Sequence, residues 1–140
     1  MANQDSVPIA IIGIGCRFPG DARDPERFWQ MLAEGRDAWS DVPENRFKWE
    51  SFYNTNPESS GCMNHRGGHF VQQDFTTFDA DFFGIHPTEA KSIDPQQRLL
   101  LEVTYEAIED ADLSAEKLKD SETSVYGQFS TCFKIREPGL

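Results

Sequence analysis

The sequence predicts an α/β fold with an incomplete sheet, on three observations. Residues 7 to 15, VPIAIIGIG, contain a nearly unbroken apolar run with Ile at 9, 11, 12 and 14. Such a run, without alternation, reads as a strand buried on both faces of a parallel or mixed sheet covered by helices. Residues 94 to 110 carry the clearest helix signal, and Ser124 to Phe129 reads as a second strand. Strand, helix, long loop, helix, strand is how an α/β architecture begins, but two strands do not finish a sheet.

The first strand ends at Gly13-Ile14-Gly15, and the turn CRFPGD follows, punctuated by Pro19-Gly20. Asp24-Pro25 then opens a helix. Asp24 suits the cap, Pro25 the first helical position, and Gly35 the stop. Phe28, Trp29 and Leu32 are its expected buried face.

Residues 36 to 75 are broken by Pro43, Pro57, Gly61, Gly67 and Gly68 and studded with aromatic residues. A loop this long and aromatic needs something large to pack against, or it belongs to a functional surface. A short strand is expected around His69 to Gln72. Asp94 then caps the long helix, with Pro95 first and Gln97 third, a variant of the capping box. Leu100, Val103 and Ala107, with Leu101, Tyr105 and Ile108, give it a wide apolar stripe. A short helix is expected after Ser114.

At 140 residues the chain has the size of one domain. Its 24 acidic and 13 basic residues give a net charge of -11, which excludes nucleic acid and disfavours anionic membranes. Eleven Phe and three Trp argue for a globular chain, although 38% apolar residues make a thin core. Three scattered cysteines make no disulfide scaffold. The sequence shows neither a signal peptide nor a membrane span, so the expected location is cytoplasmic, with thiols reduced.

Four constellations invite a chemical reading. Gly13-Ile14-Gly15 ends a strand, as in dinucleotide-binding turns, but Phe18 stands where the third Gly is needed. The glycines are better read as close-packing positions, and no cofactor is expected. Cys62, His65 and His69 have the spacing of half a zinc site, yet no second Cys pair lies nearby, and no metal is expected. Cys16, Cys62 and Cys132 are possible nucleophiles, with His65, His69 and His86 as possible bases, but nothing in the sequence pairs them. Cys16 reads as a small core residue. Residues 102 to 122 hold eight acids and two lysines, which reads as a solvated helix face before it reads as a docking patch for a basic partner.

Three stretches carry a family resemblance. PIAIIGIGCRFPGD (Pro8 to Asp21) resembles the opening of the β-ketoacyl synthase domain of polyketide synthases. DPERFWQMLAEGRDA and the stretch Gly67 to Ala111 are similar to later parts of that domain, with FDADFFGI and DPQQRLLLE the most specific pieces. NHRGGHF, and the start of the domain soon after Met1, resemble fungal highly reducing iterative type I synthases.

The resemblance implies an N-terminal fragment of a thiolase-like, layered αβαβα fold. It divides the chain into a tail at 1–7, a partial ketosynthase region at 8–132 and a divergent tail at 133–140. It implies an acyltransferase family that condenses acyl and malonyl units on an acyl carrier protein, using a Cys in a nucleophile-elbow motif and two His in later motifs. None of those motifs stands in this chain, so no catalytic residue is assigned and the chain alone is expected to be inactive. Cys132, in STCF, lies too early and lacks the small residues that follow the family nucleophile.

The chain departs from the family in three places. Asp112 stands where the family has Gly, Val125-Tyr126-Gly127 is one residue short, and KIREPGL stops resembling the domain. A premature stop, a frame change or mis-splicing would produce such an end. The expected partners are a full-length polyketide synthase or a ketosynthase dimer partner. The fragment's apolar faces and edges are expected to be exposed.

Overall fold

A computed structural model describes residues 8–127. The elements run in order α1 (Pro25–Ala33), β1 (Trp39–Asp41), a 3-10 turn (Trp49–Phe52), β2 (Gly67–His69), α2 (Pro87–Ser92), α3 (Pro95–Asp110) and α4 (Ala115–Leu118).

The helices start where their caps dictate. Asp24 accepts the Arg27 N–H at 2.8 Å at the head of α1. Asp94 accepts the Gln96 N–H at 2.8 Å at the head of α3, and the Ser114 hydroxyl caps α4. Each satisfies one of the donors that a helix leaves orphaned. The expectations for α1, α3 and α4 therefore hold. Helix α2 has no counterpart in the sequence reading, because its cap is the ring of His86, an unusual capping residue.

Two helices end alike. At α1 the Gly35 N–H donates to Leu32 and the Arg36 N–H to Met31, with Gly35 at φ 62°. At α3 the Asp112 N–H donates to Glu109 and the Leu113 N–H to Ile108, with Asp112 at φ 54°. Both are Schellman stops. An aspartate occupies the left-handed position at the second, and the geometry persists.

The sheet is smaller than expected. Strands β1 and β2 pair antiparallel, with Trp39 opposite His69 and Asp41 opposite Gly67. They close the neck of the 42–66 excursion, where the Val42 N–H donates to the Arg66 carbonyl at 3.0 Å. The strand expected at 69–72 thus lies two residues earlier, and Val71 forms only an isolated bridge to Gly20. Turn residues Asn54 and Met63 bond across the excursion.

Residues 8–15 are not a strand, contrary to the sequence reading. A strand exists only with a hydrogen-bonded neighbour, and none of the described residues supplies one. The segment lies instead along α3 in the opposite direction. Gly15 sits against Val103, and Gly13 against Ala107 and Ala111. Residues 124–127 also form no strand, and the rest of that expected element lies outside the described residues.

The core is thin. Among the described residues only Ala22, Met31, Val42 and Ala90 are buried apolar side chains. Phe28 is half-buried and its ring meets Phe18 with centroids 4.3 Å apart, but Trp29 and Leu32 are exposed, against expectation. Nothing among the described residues forms a second layer over that side of α1. On α3, Val103 and Ala107 are partly covered by the glycine segment, and Tyr105 by Phe82 at 4.8 Å. Leu100 and Leu101 of the same stripe remain exposed.

Candidate functional site

The densest polar arrangement surrounds Arg17. The turn after residue 15 brings its guanidinium into contact with α3. There it donates to both carboxylate oxygens of Glu106 in a bidentate pair. The same group donates to Gln73 Oε1 at 2.9 Å, to the Cys16 carbonyl at 2.9 Å and to the Arg23 carbonyl. Gln73 in turn donates to Glu102 Oε2 at 2.9 Å. Glu106 holds the guanidinium in its charged form against the opposing effect of burial. Arg17 therefore joins the first segment, the Val71–Gln73 stretch and α3 with charge-assisted bonds. These bonds all lie within the protein, so Arg17 is a structural tie.

That tie revises the acidic stretch of 102–122. Glu102 and Glu106 face Gln73 and Arg17, and Asp110 accepts the Ile14 N–H at 2.9 Å. Three of its eight acids thus hold the chain to α3 and do not form a purely solvated face.

A shallow cleft of about 420 Å³ lies beside the tie, between Phe18, Arg23 and Arg27 on one side and Val71 to Gln73 on the other. Its guanidiniums already face carboxylates: Arg27 and Arg23 lie 3.7 Å from Asp24, and Asp21 is bound by Arg36 at 2.9 Å. The cleft carries little uncompensated charge.

The cysteines and histidines do not assemble. Cys16 is half-buried, and burial, then the nearby Asp24 charge, pushes its thiol up, opposite to what a nucleophile requires. Cys62 is exposed on the excursion. Neither has a histidine hydrogen-bonded to it among the described residues, and Cys132 lies outside them. His86 caps α2. His69 Nε2 meets Asp37 Oδ1 at 3.0 Å, and Asp37 also accepts the Trp39 N–H. These two bonds, the backbone one first, hold the Asp37 carboxyl below its ordinary range. His65 Nδ1 lies 3.4 Å from Oδ1 of its neighbour Asn64. Among the described residues no three His, Cys, Asp or Glu side chains converge as metal ligands. Gly13 and Gly15 face α3 and do not face a cavity, which is the close-packing role expected of them.

Residues 9–14 are an exposed apolar run. Ile9 is 96% exposed, Ile11 82%, Ile12 67% and Ile14 53%. Ile9 and Ile11 extend past the end of α3, since Gly13 already sits at Ala111. The sequence run was legible as apolar, but its exposure was not. No helix among the described residues is long and apolar enough to cross a membrane.

Comparison with known proteins finds relatives in sequence and in fold. Residues 6–131 match the β-ketoacyl synthase N-terminal domain. The chain is 53% identical over 127 residues to a highly reducing polyketide synthase of Stachybotrys chartarum, covering 90% of this chain and 5% of that protein. It is 47% identical over 145 residues to the squalestatin tetraketide synthase of a Phoma species, covering 99% of this chain and 6% of that one. The chain therefore spans about a twentieth of the length of these curated relatives. Among solved structures, it is similar to an oxazolomycin ketosynthase domain of Streptomyces albus, with TM-score 0.67 and 37% identity over 71% of this chain and 17% of that one. A ketosynthase from module 6 of the bacillaene synthase of Bacillus subtilis also reaches 0.67, at 34% identity over 78% of this chain and 18% of that one. The layered ketosynthase fold and its incomplete sheet here follow from those neighbours, and the chain belongs to the β-ketoacyl synthase family, as a piece of its N-terminal domain.

Proposed function

We propose that this chain is a ketosynthase segment of polyketide biosynthesis that is catalytically silent alone, with a tail at 1–7, the partial ketosynthase at 8–132 and a divergent tail at 133–140. The family match over residues 6–131 supports the association with polyketide synthases. Silence is supported by one observation: neither described cysteine has a histidine partner, and Cys16 is tuned away from the thiolate. The whole family condenses acyl and malonyl units on a carrier protein, and the Cys and His motifs that do so are absent from this sequence. The cytoplasm is the compartment this reading assigns.

The test is incubation of the purified chain with an acyl thioester, followed by intact-mass analysis. The expected result is no acyl adduct. Rapid, stoichiometric acylation of one cysteine would overturn the reading. A second reading is favoured by the exposed isoleucines: the chain is a non-catalytic module that pairs with a full-length synthase.

A further inference from the structure

We propose that Arg46 is a latch that holds the 42–66 excursion against the 71–75 stretch, and that the excursion swings as one body about the β1–β2 neck when the latch is released. The excursion is braced from within. The Met63 N–H donates to the Phe52 carbonyl at 2.8 Å, and the Asn54 N–H to the Met63 carbonyl at 2.9 Å. Trp49 meets Tyr53 edge to face with ring centroids 5.5 Å apart, and Phe47 meets Phe52 at 6.2 Å. Its attachment to the rest of the chain is sparse by comparison. Beyond the neck, the backbone enters at 42 and leaves at 66. Among the described residues, the hydrogen bond and the ring contact that run from residues 43–65 to the rest of the chain both come from Arg46. A braced piece on a narrow neck with one side-chain tie has the form of a hinged body.

The receiving side is fixed to α3. Gln73 Nε2 donates to Glu102 Oε2 at 2.9 Å, and the Phe75 carbonyl accepts from Arg98 Nη1 at 3.0 Å. Arg17 Nε adds its bond to Gln73 Oε1. The 71–75 stretch therefore moves with α3, and Arg46 joins the excursion to that body.

The chemistry of Arg46 suits a latch. Its guanidinium carbon lies 4.0 Å from the centroid of the Phe75 ring, while Nη2 donates to the Val71 carbonyl at 2.8 Å. A planar guanidinium can lie on a ring and donate in its own plane at once. An ammonium is a point charge on a flexible stem and cannot do both. Burial pushes the Arg46 guanidinium down, and the nearby Asp74 charge opposes that shift. The group is thus partly withdrawn from water, where a cation on a ring and a charged hydrogen bond both gain strength.

The test is a distance measurement on the full chain by double electron–electron resonance. One nitroxide sits on the exposed Cys62 and one on Thr104→Cys, at an exposed position of α3, with Cys16→Ser and Cys132→Ser removing the other thiols. The expected result is a narrow distance distribution that broadens about twofold or more in Arg46→Ala. Arg46→Lys should broaden it nearly as far, since charge alone does not make the latch. In Arg46→Ala the amides of Asn54 and Met63, bonded inside the excursion, should keep their exchange rates. An unchanged distribution in Arg46→Ala, one already as broad before that substitution, full rescue by lysine, or faster exchange at Asn54 and Met63 would each overturn the proposal. If Arg46→Ala loses the helical circular dichroism signal, Phe75→Leu, which removes the ring and leaves the Val71 bond, decides between the same outcomes.

Discussion

Asp112 and Arg17 show how single side chains shape this chain. Asp112 holds a left-handed position at φ 54° that costs a residue with a Cβ roughly 1 kcal/mol. Both Schellman bonds still form there, so the strain is carried by the backbone and not relieved by unwinding α3. Asp112→Gly should therefore favour α3 and its stop, seen as a higher urea midpoint for the α3 helical signal. An unchanged or lower midpoint would show that the Asp112 side chain has a compensating role. The departure at position 112 was legible in the sequence, and its structural consequence was not. Arg17 was invisible to sequence reasoning, because its side-chain partners Gln73 and Glu106 are 56 and 89 residues away. Only the CRFPG turn folding onto α3 makes a tie of it.

Helices and strands differ in how far they could be read. Helices α1, α3 and α4 were legible because a cap is a local event: Asp24-Pro25, Asp94-Pro95 and Ser114 each act within one turn. The strand at residues 8–15 was not, because pairing needs a neighbour that local sequence does not specify. The buried face of α1 failed for the same reason. Trp29 and Leu32 have the right spacing but no described layer to meet. The glycines of the first segment were read correctly as packing positions. A Cβ on Gly15 would meet the Val103 carbonyl oxygen at 2.5 Å and the Val103 side chain at 3.1 Å. Gly15→Ala should lift the segment from α3, since the obstacle is helix backbone that cannot move aside. The Ile14 amide, bonded to Asp110, should then exchange at least tenfold faster. Slow exchange retained in the variant would show that the segment does not depend on the glycine seat.

For the molecule as a whole, a one-domain length coexists with a core of four small or medium side chains among the described residues. The 38% apolar content was legible as a thin core, and the positions of the missing partners were not. Large apolar residues face water at both ends of the described chain, Ile9 at one and Tyr126 at the other. The free chain should melt over a broad range, with an enthalpy well below the ~0.7 kcal/mol per residue of compact domains. It should also bind a dye that reports exposed apolar surface. A sharp two-state transition of a monomer, measured by calorimetry, would contradict this. The β1–β2 neck has a different consequence. Because the pair and the Val42–Arg66 bond fix both feet of the 42–66 excursion, and Arg46 ties it to the Val71 carbonyl and the Phe75 ring, a change in length at the tip near Glu58 leaves these anchors in place. Loop-closure entropy rises by only about 0.6 kcal/mol when a flexible loop doubles in length. A reporter peptide or affinity tag grafted near Glu58, on the exposed turn, would therefore disturb the helices little.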